Sequence, residues 1–472
     1  MRHTWQLSAG ALVSAYACGH LSPIEALRSV WARLDAVNPQ INAVIARDDE
    51  GALAAAQASA LRWQQGQPLS PLDGVPISVK DNIAQRGLPC RWGSRLFAEH
   101  QPTRDELPVA RLRAAGAVLF GKTNVPEFTL QGYTDNALFG PTRNPWDLSC
   151  TPGGSSGGAV AAVAAGIGPL ALATDGGGSI RRPCAYTGLV GLKPSWGVVP
   201  RADGLPELLP GLEVIGPIAR HLDDLARLLH VIAPDMRHTF DTLPAPRPLR
   251  IAHWRRIGTS PVDQAITAAI DAAAERLRAL GHGVEVTEAP AEVEAFNRHA
   301  WPVLSASGLA AVMAPLRGRE SALTPAMASL LVAGRACGAK DLAEAQALQR
   351  ALRSAMASVF ARYDVVLTPA CAAMPWAATQ SHPETIAGQA VDGRGHAVFT
   401  ALANGAGLPA LALPAGQADG VPNRLPMGLQ LLGPHGSDAR LCALGHSFLA
   451  HQAQPWRWPV LPQPLLNESL AV

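Results

Sequence analysis

Gly153-Gly154-Ser155-Ser156-Gly157-Gly158 runs into Ala159-Val160-Ala161-Ala162-Val163-Ala164-Ala165. Leu170-Ala171-Leu172-Ala173 runs into Thr174-Asp175-Gly176-Gly177-Gly178-Ser179-Ile180-Arg181. In both stretches a glycine-serine loop is joined to an apolar run, which is not how a flexible linker is built. The first run is small and apolar, suited to a buried helix, and the second reads as a buried strand. A third piece, Gly74-Val75-Pro76-Ile77-Ser78-Val79-Lys80-Asp81, alternates Val75, Ile77 and Val79 as a strand whose end carries Lys80 inward. Together the three supply a serine nucleophile, a run of glycine N–H groups able to hold an oxyanion, and a serine and a lysine that can move a proton without histidine.

Outward from these loops, apolar runs at Val75 to Val79, Val118 to Phe120, Leu170 to Ala173, Val365 to Leu367, Ala410 to Leu413 and Gly428 to Leu432 alternate with helical windows. The pattern predicts an α/β fold: a single large α/β/α domain with a mixed, mostly parallel twisted sheet covered by helices on both faces. Helices are expected over about 8 to 64 and over Thr259 to Leu280, with a short strand at Val284 to Val286. Pro and Gly are spread throughout, so no linker isolates a domain within 1–472. Within it we separate N-terminal helices (1–70), a core carrying the two loops and Lys80 (71–235), a variable segment (236–362) and a C-terminal part of the core (363–472).

Two literal motif matches compete with this reading. Gly153-Gly154-Ser155-Ser156-Gly157 fits the Gly-x-Ser-x-Gly elbow of α/β-hydrolases, which would make Ser155 an esterase nucleophile and require a histidine in a catalytic turn. No histidine sits in such a block. Gly116-Ala117-Val118-Leu119-Phe120-Gly121-Lys122-Thr123 fits the phosphate-loop pattern, but its intervening residues are strand formers and Pro126 opposes a following helix. It reads as a strand entering a turn.

The three blocks in this order resemble the amidase signature family of serine hydrolases. The resemblance continues through Gly121-Lys122-Thr123-Asn124, Phe139-Gly140, Arg182-Pro183, Gly188-Leu189-Val190-Gly191-Leu192-Lys193-Pro194, Gly407-Leu408-Pro409 and Pro426-Met427-Gly428-Leu429-Gln430, and is poorest from about Ala245 to Arg362. It implies Ser179 as nucleophile, Ser155 as a bridging serine preceded by a cis peptide bond, and Lys80 as terminal base. It further implies an oxyanion hole at Gly176, Gly177 and Gly178, with Ser156 and an Asp175–Arg181 ion pair supporting the loop. The activity implied is hydrolysis of a carboxylic acid amide, a linear C–N bond, to the acid plus ammonia or amine. The competing implication is the amidase-type subunit of a glutamine-dependent tRNA amidotransferase. That subunit usually has a tyrosine-rich middle segment, whereas Ala322 to Arg362 contains no tyrosine. Gly176, Cys184, Ser195 and Val198 depart from the family pattern. In relatives the pocket is lined from the equivalents of Thr129, Leu130, Trp301, Met374 and Trp376, which here imply an apolar, aromatic pocket for an aryl or alkyl carboxamide.

Charge excludes some partners. Lys+Arg 39 against Asp+Glu 37 gives a net charge of +2, so nucleic acid is not implied. The pair Arg181-Arg182 reads as solvated or ion-paired. Seven cysteines without a Cys-x-x-Cys spacing argue for reduced thiols, a cytoplasmic setting and no zinc site. Histidines form no metal motif, and neither a metal nor a cofactor is expected. Arg2 and the apolar stretch to Cys18 imitate a short signal peptide, but Ser8 as a cap and Pro23 at a first helical turn favour a pair of helices. No membrane span is expected. A small-molecule amide substrate is the partner implied, and a homodimer is compatible with the sequence.

Overall fold

The structure, a computed structural model, describes residues 3–236, 247–417, 425–451 and 457–461. Its strands are β1 (Val44–Arg47), β2 (Pro76–Lys80), β3 (Val118–Thr123), β4 (Leu170–Asp175), β5 (Val190–Lys193), β6 (Val214–Ala219), β7 (Arg250–His253), β8 (Gly283–Val286), β9 (Val365–Pro369), β10 (Thr385–Ile386), β11 (Gln389–Ala390), β12 (Ala410–Gln417) and β13 (Pro426–Leu432). Eleven of them build one mixed sheet in the order β1-β3-β2-β4-β6-β5-β12-β13-β9-β7-β8, and β10 pairs with β11 apart from it.

Side-chain alternation sets the two faces. Leu170 and Leu172 point into the same core as Ile77, Val79, Leu411 and Leu429, under the helices Leu222–Ile232, Gln264–Ala279 and Asp438–Ala450. Ala171 and Ala173 point the opposite way, and their small size lets the helix Gly157–Ala165 lie close over the sheet centre. All nine residues of that helix are buried, as its unbroken run of small apolar residues predicts. Helices therefore cover both faces. The expected strands at β2, β3, β4, β9, β12 and β13 are present, and so are the helix Gln264–Ala279 and strand β8. The phosphate-loop look-alike is the fully buried strand β3.

The sheet is less parallel than expected. Parallel pairs join β2 to β3 and β4, and β7 to β8 and β9. The other six pairings are antiparallel. The excess comes from β5, β6 and β1, none of which the apolar-run reading detected. Strand β1 also interrupts the helical region expected from 8 to 64, which resolves into Ala9–Ala17, Pro23–Ile41 and Asp49–Gln64. The first helix is capped by Ser8, whose Oγ accepts from the Ala11 N–H at 3.1 Å. The second begins at Pro23 behind a Ser22–Glu25 capping box. Among the described residues no helix is long and apolar enough to cross a membrane.

Candidate active site

Parallel pairing puts the C-terminal ends of β2 and β4 side by side, with Val79 opposite Leu172. Lys80 and Thr174 therefore lie near one another at the C-terminal ends of the two strands, the edge where open α/β sheets commonly bind ligands. Lys80 Nζ lies 2.8 Å from Ser155 Oγ, 2.8 Å from Thr174 Oγ1 and 3.2 Å from the Thr174 carbonyl oxygen. A neutral amine suits this cage: two N–H groups donate, and the lone pair accepts from a hydroxyl. Burial of Lys80 pushes its pKa down to about 7, against the opposing pull of Glu213 and Asp175.

Ser155 follows a cis Gly154–Ser155 peptide bond, as the resemblance implies. The two serine loops are tied directly, because the Ser156 N–H donates to the Ser179 carbonyl at 3.2 Å. Ser156 Oγ donates to the Thr174 carbonyl at 3.3 Å. Lys80 and Ser155 are closed to solvent, whereas Ser179 keeps 7% of its surface accessible, the exposure order a nucleophile backed by a relay requires. Among the described residues no histidine hydrogen-bonds to either serine, and Ser155 is engaged by lysine, which disfavours the elbow reading.

Asp175 organises the glycine loop. Its carboxylate accepts from the Gly178 N–H at 2.7 Å and the Ile180 N–H at 3.0 Å, and takes a two-point contact from Arg181 at 3.0 and 2.8 Å. Burial alone would raise its pKa, but the Arg181 guanidinium and these donors outweigh burial and hold it far below the usual range. Gly178 has φ +117, a backbone conformation that favours glycine. With its N–H engaged by Asp175, Gly178 differs from Gly176 and Gly177, whose N–H groups have no partner among the described residues. Gly176, a departure from the family pattern, adds backbone freedom to the loop. That freedom is countered by Arg182, which donates to the Gly177 carbonyl, and by Thr400 Oγ1, 2.8 Å from the same oxygen. Of the remaining departures from the family pattern, Ser195 donates to Asp438 and Cys184 packs beside Gly191.

Arg181 is ion-paired, but Arg182 is not. Arg182 is buried and bonds to Gly177 O, Thr400 Oγ1 and Gly154 O, without a carboxylate partner among the described residues. This corrects the expectation that the pair is solvated or ion-paired. Arg181 also reaches the Thr400 carbonyl, Gln430 and Asn404. Replacing it with methionine strands the Asp175 charge in the interior. The expected loss is about 3–5 kcal/mol of stability, read as a lowered unfolding midpoint in denaturant.

Beside this loop is a cavity of about 180 Å³, walled on separate segments by Leu130 and Gln131, Arg182, Trp301 and Ser305, Met327, and Arg394 and His396. It abuts the loop closely enough that a Cβ on Gly177 would collide with the Trp301 ring. Of the pocket residues expected from sequence, Leu130 and Trp301 line it. Thr129 lies next to the cavity wall and accepts from Trp92 Nε1 at 3.1 Å. Trp376 stands behind the wall, its ring tilted by 57° against that of His396 with centroids 4.7 Å apart. Met374 packs against the core on the other face of the sheet. Sequence reasoning gave no site role to Thr174, Arg182, Arg394 and His396; of these, Thr174, one residue before Asp175, and Arg182, three after Ser179, carried a usable signal.

A family model described as Amidase matches residues 25–442. The chain belongs to the amidase signature family. Among solved structures, a bacterial aryl acylamidase of the amidase signature enzymes is similar at TM-score 0.86 and 30% identity, over 94% of this chain and 96% of that one. A 6-aminohexanoate cyclic dimer hydrolase is similar at TM-score 0.83 and 28% identity, over 97% of this chain and 99% of that one. Among curated relatives, a glutamyl-tRNA(Gln) amidotransferase subunit of Symbiobacterium thermophilum is 33% identical over 95% of this chain and 98% of its own length. The Lys80, Ser155 and Ser179 blocks, far apart in sequence, are consistent with that family.

Proposed function

We propose that this chain is an amidase that hydrolyses a carboxylic amide to the acid plus ammonia or amine through an acyl-enzyme on Ser179. The observation that carries this reading is the 2.8 Å contact between buried Lys80 and Ser155, with Ser179 on the adjoining loop. Ser179 Oγ attacks the amide carbonyl while its proton passes to Ser155 and the Ser155 proton passes to neutral Lys80. The N–H groups of Gly176 and Gly177 hold the oxyanion, each such donor contributing about 3 kcal/mol to the transition state. Gly178 contributes through the Asp175 contact that shapes the loop. The lysine proton returns to the leaving nitrogen, and water cleaves the ester. Seven free cysteines among the described residues support a cytoplasmic setting.

The curated relatives carry a second reading, in which the chain is the amidase subunit of a tRNA amidotransferase and passes ammonia to a partner. Both readings share the acyl-enzyme and differ in the fate of the ammonia. Purified alone and given an amide with hydroxylamine, the chain is expected to release ammonia and form the acyl hydroxamate. Activity that appears only with copurifying partner chains and glutamine would favour the second reading.

A further inference from the structure

The cavity beside the Ser179 loop is cationic. Arg182 and Arg394 both line it, and none of its lining residues is acidic. Among the described residues, neither guanidinium has a carboxylate within ion-pair distance. Asp392, the acidic residue nearest Arg394 in sequence, accepts from the Arg394 backbone N–H at 2.8 Å rather than from its side chain. Arg394 instead lies over the Trp301 ring, 4.6 Å from its centroid. His396, 2% exposed, stands in the same wall with neither ring nitrogen hydrogen-bonded. Confined cations and an unsatisfied imidazole are costly unless something pairs with them. Trp301 connects this charge to the chemistry, since the edge of its ring lies against Gly177 while Arg394 sits over the ring.

We propose that the cavity binds a carboxylate at Arg394, so that the substrate is an amide carrying a second, anionic group rather than a purely apolar aryl or alkyl carboxamide. The inference rests on the amidase reading above and names the substrate class of that site. A guanidinium matches a carboxylate with two parallel N–H donors, and the indole face beneath it fixes the plane of the pair. Arg182, held by Gly177, Thr400 and Gly154, adds positive potential without leaving the loop.

The test compares kcat/KM for monoamides of straight-chain dicarboxylic acids of three to six carbons with their neutral methyl esters, alongside calorimetric binding of the free dicarboxylates. At least one acid is expected to be preferred over its ester by about 10- to 100-fold, expressed mainly in KM. Arg394→Met is expected to bring that ratio close to one and to abolish dicarboxylate binding. Should that variant fail to fold, the wild-type ratios still decide. Turnover of the neutral esters with no preference for any acid overturns the proposal and leaves the amidase reading standing. Dicarboxylate binding that depends on Arg394, with no turnover of any amide, upholds the anion site and overturns the amidase reading instead.

Discussion

Replacing Ser179 with alanine is expected to lower kcat/KM for amide hydrolysis by about four to six orders of magnitude, with the fold unchanged. The loss is this large because the substitution removes the atom that forms the acyl-enzyme, so no partial mechanism remains except weak oxyanion stabilisation of direct water attack. The side chain is small and makes no contact that supports the loop. The Ser179 carbonyl that accepts from Ser156 is backbone and survives the change. Ser155→Ala is expected to approach the same loss, and the double variant to add little, because residues of one relay are non-additive. Single-turnover and steady-state rates on one amide, with circular dichroism as the check on folding, measure this.

The second large effect belongs to Lys80. A base must be neutral, and Lys80 is held at about 7, so kcat/KM is expected to rise about tenfold per pH unit below neutrality and to level above it. Lys80→Met removes the base and lowers the plateau by about 10²- to 10⁴-fold. Lys80→Arg leaves a permanent cation, so the rising limb should disappear as well. The sign of the linked stability effect guards against misreading these variants. Because the folded pKa lies below the ordinary lysine value of 10.5, the unfolded chain binds more protons between these values, and stability grows as pH rises through that window. Lys80→Met is therefore expected to fold at least as well as the native chain near neutral pH, and its inactivity cannot be unfolding. A pH–rate profile without an ascending limb near 7 would remove Lys80 as the terminal base.

What could be read from sequence divides along physical lines. Strands β2, β4, β9 and β13 were legible because both of their faces are buried, which leaves an apolar run in the chain. Strand β6 was not, because Pro217 sits inside it opposite Leu172 and proline argues against a central strand. Strands β1, β5 and β7 span four residues each, short for establishing a period; β8 is no longer, and only its Val284-Glu285-Val286 alternation made it legible. The relay was legible because its members stand in contiguous blocks. The cavity was not: Arg182, Trp301 and Arg394 come from distant segments, and only the folded chain shows two arginines meeting without an acid. An aromatic pocket was expected because tryptophan and leucine are visible in sequence, whereas an absent counter-ion is not.

The most direct test of Ser179 as the nucleophile is reaction of the purified protein with a fluorophosphonate, followed by peptide mapping of the modified residue. The account predicts a single adduct on Ser179, formed faster as pH rises through about 7 and lost in Lys80→Met. An adduct on Ser155 with Ser179 untouched would contradict it.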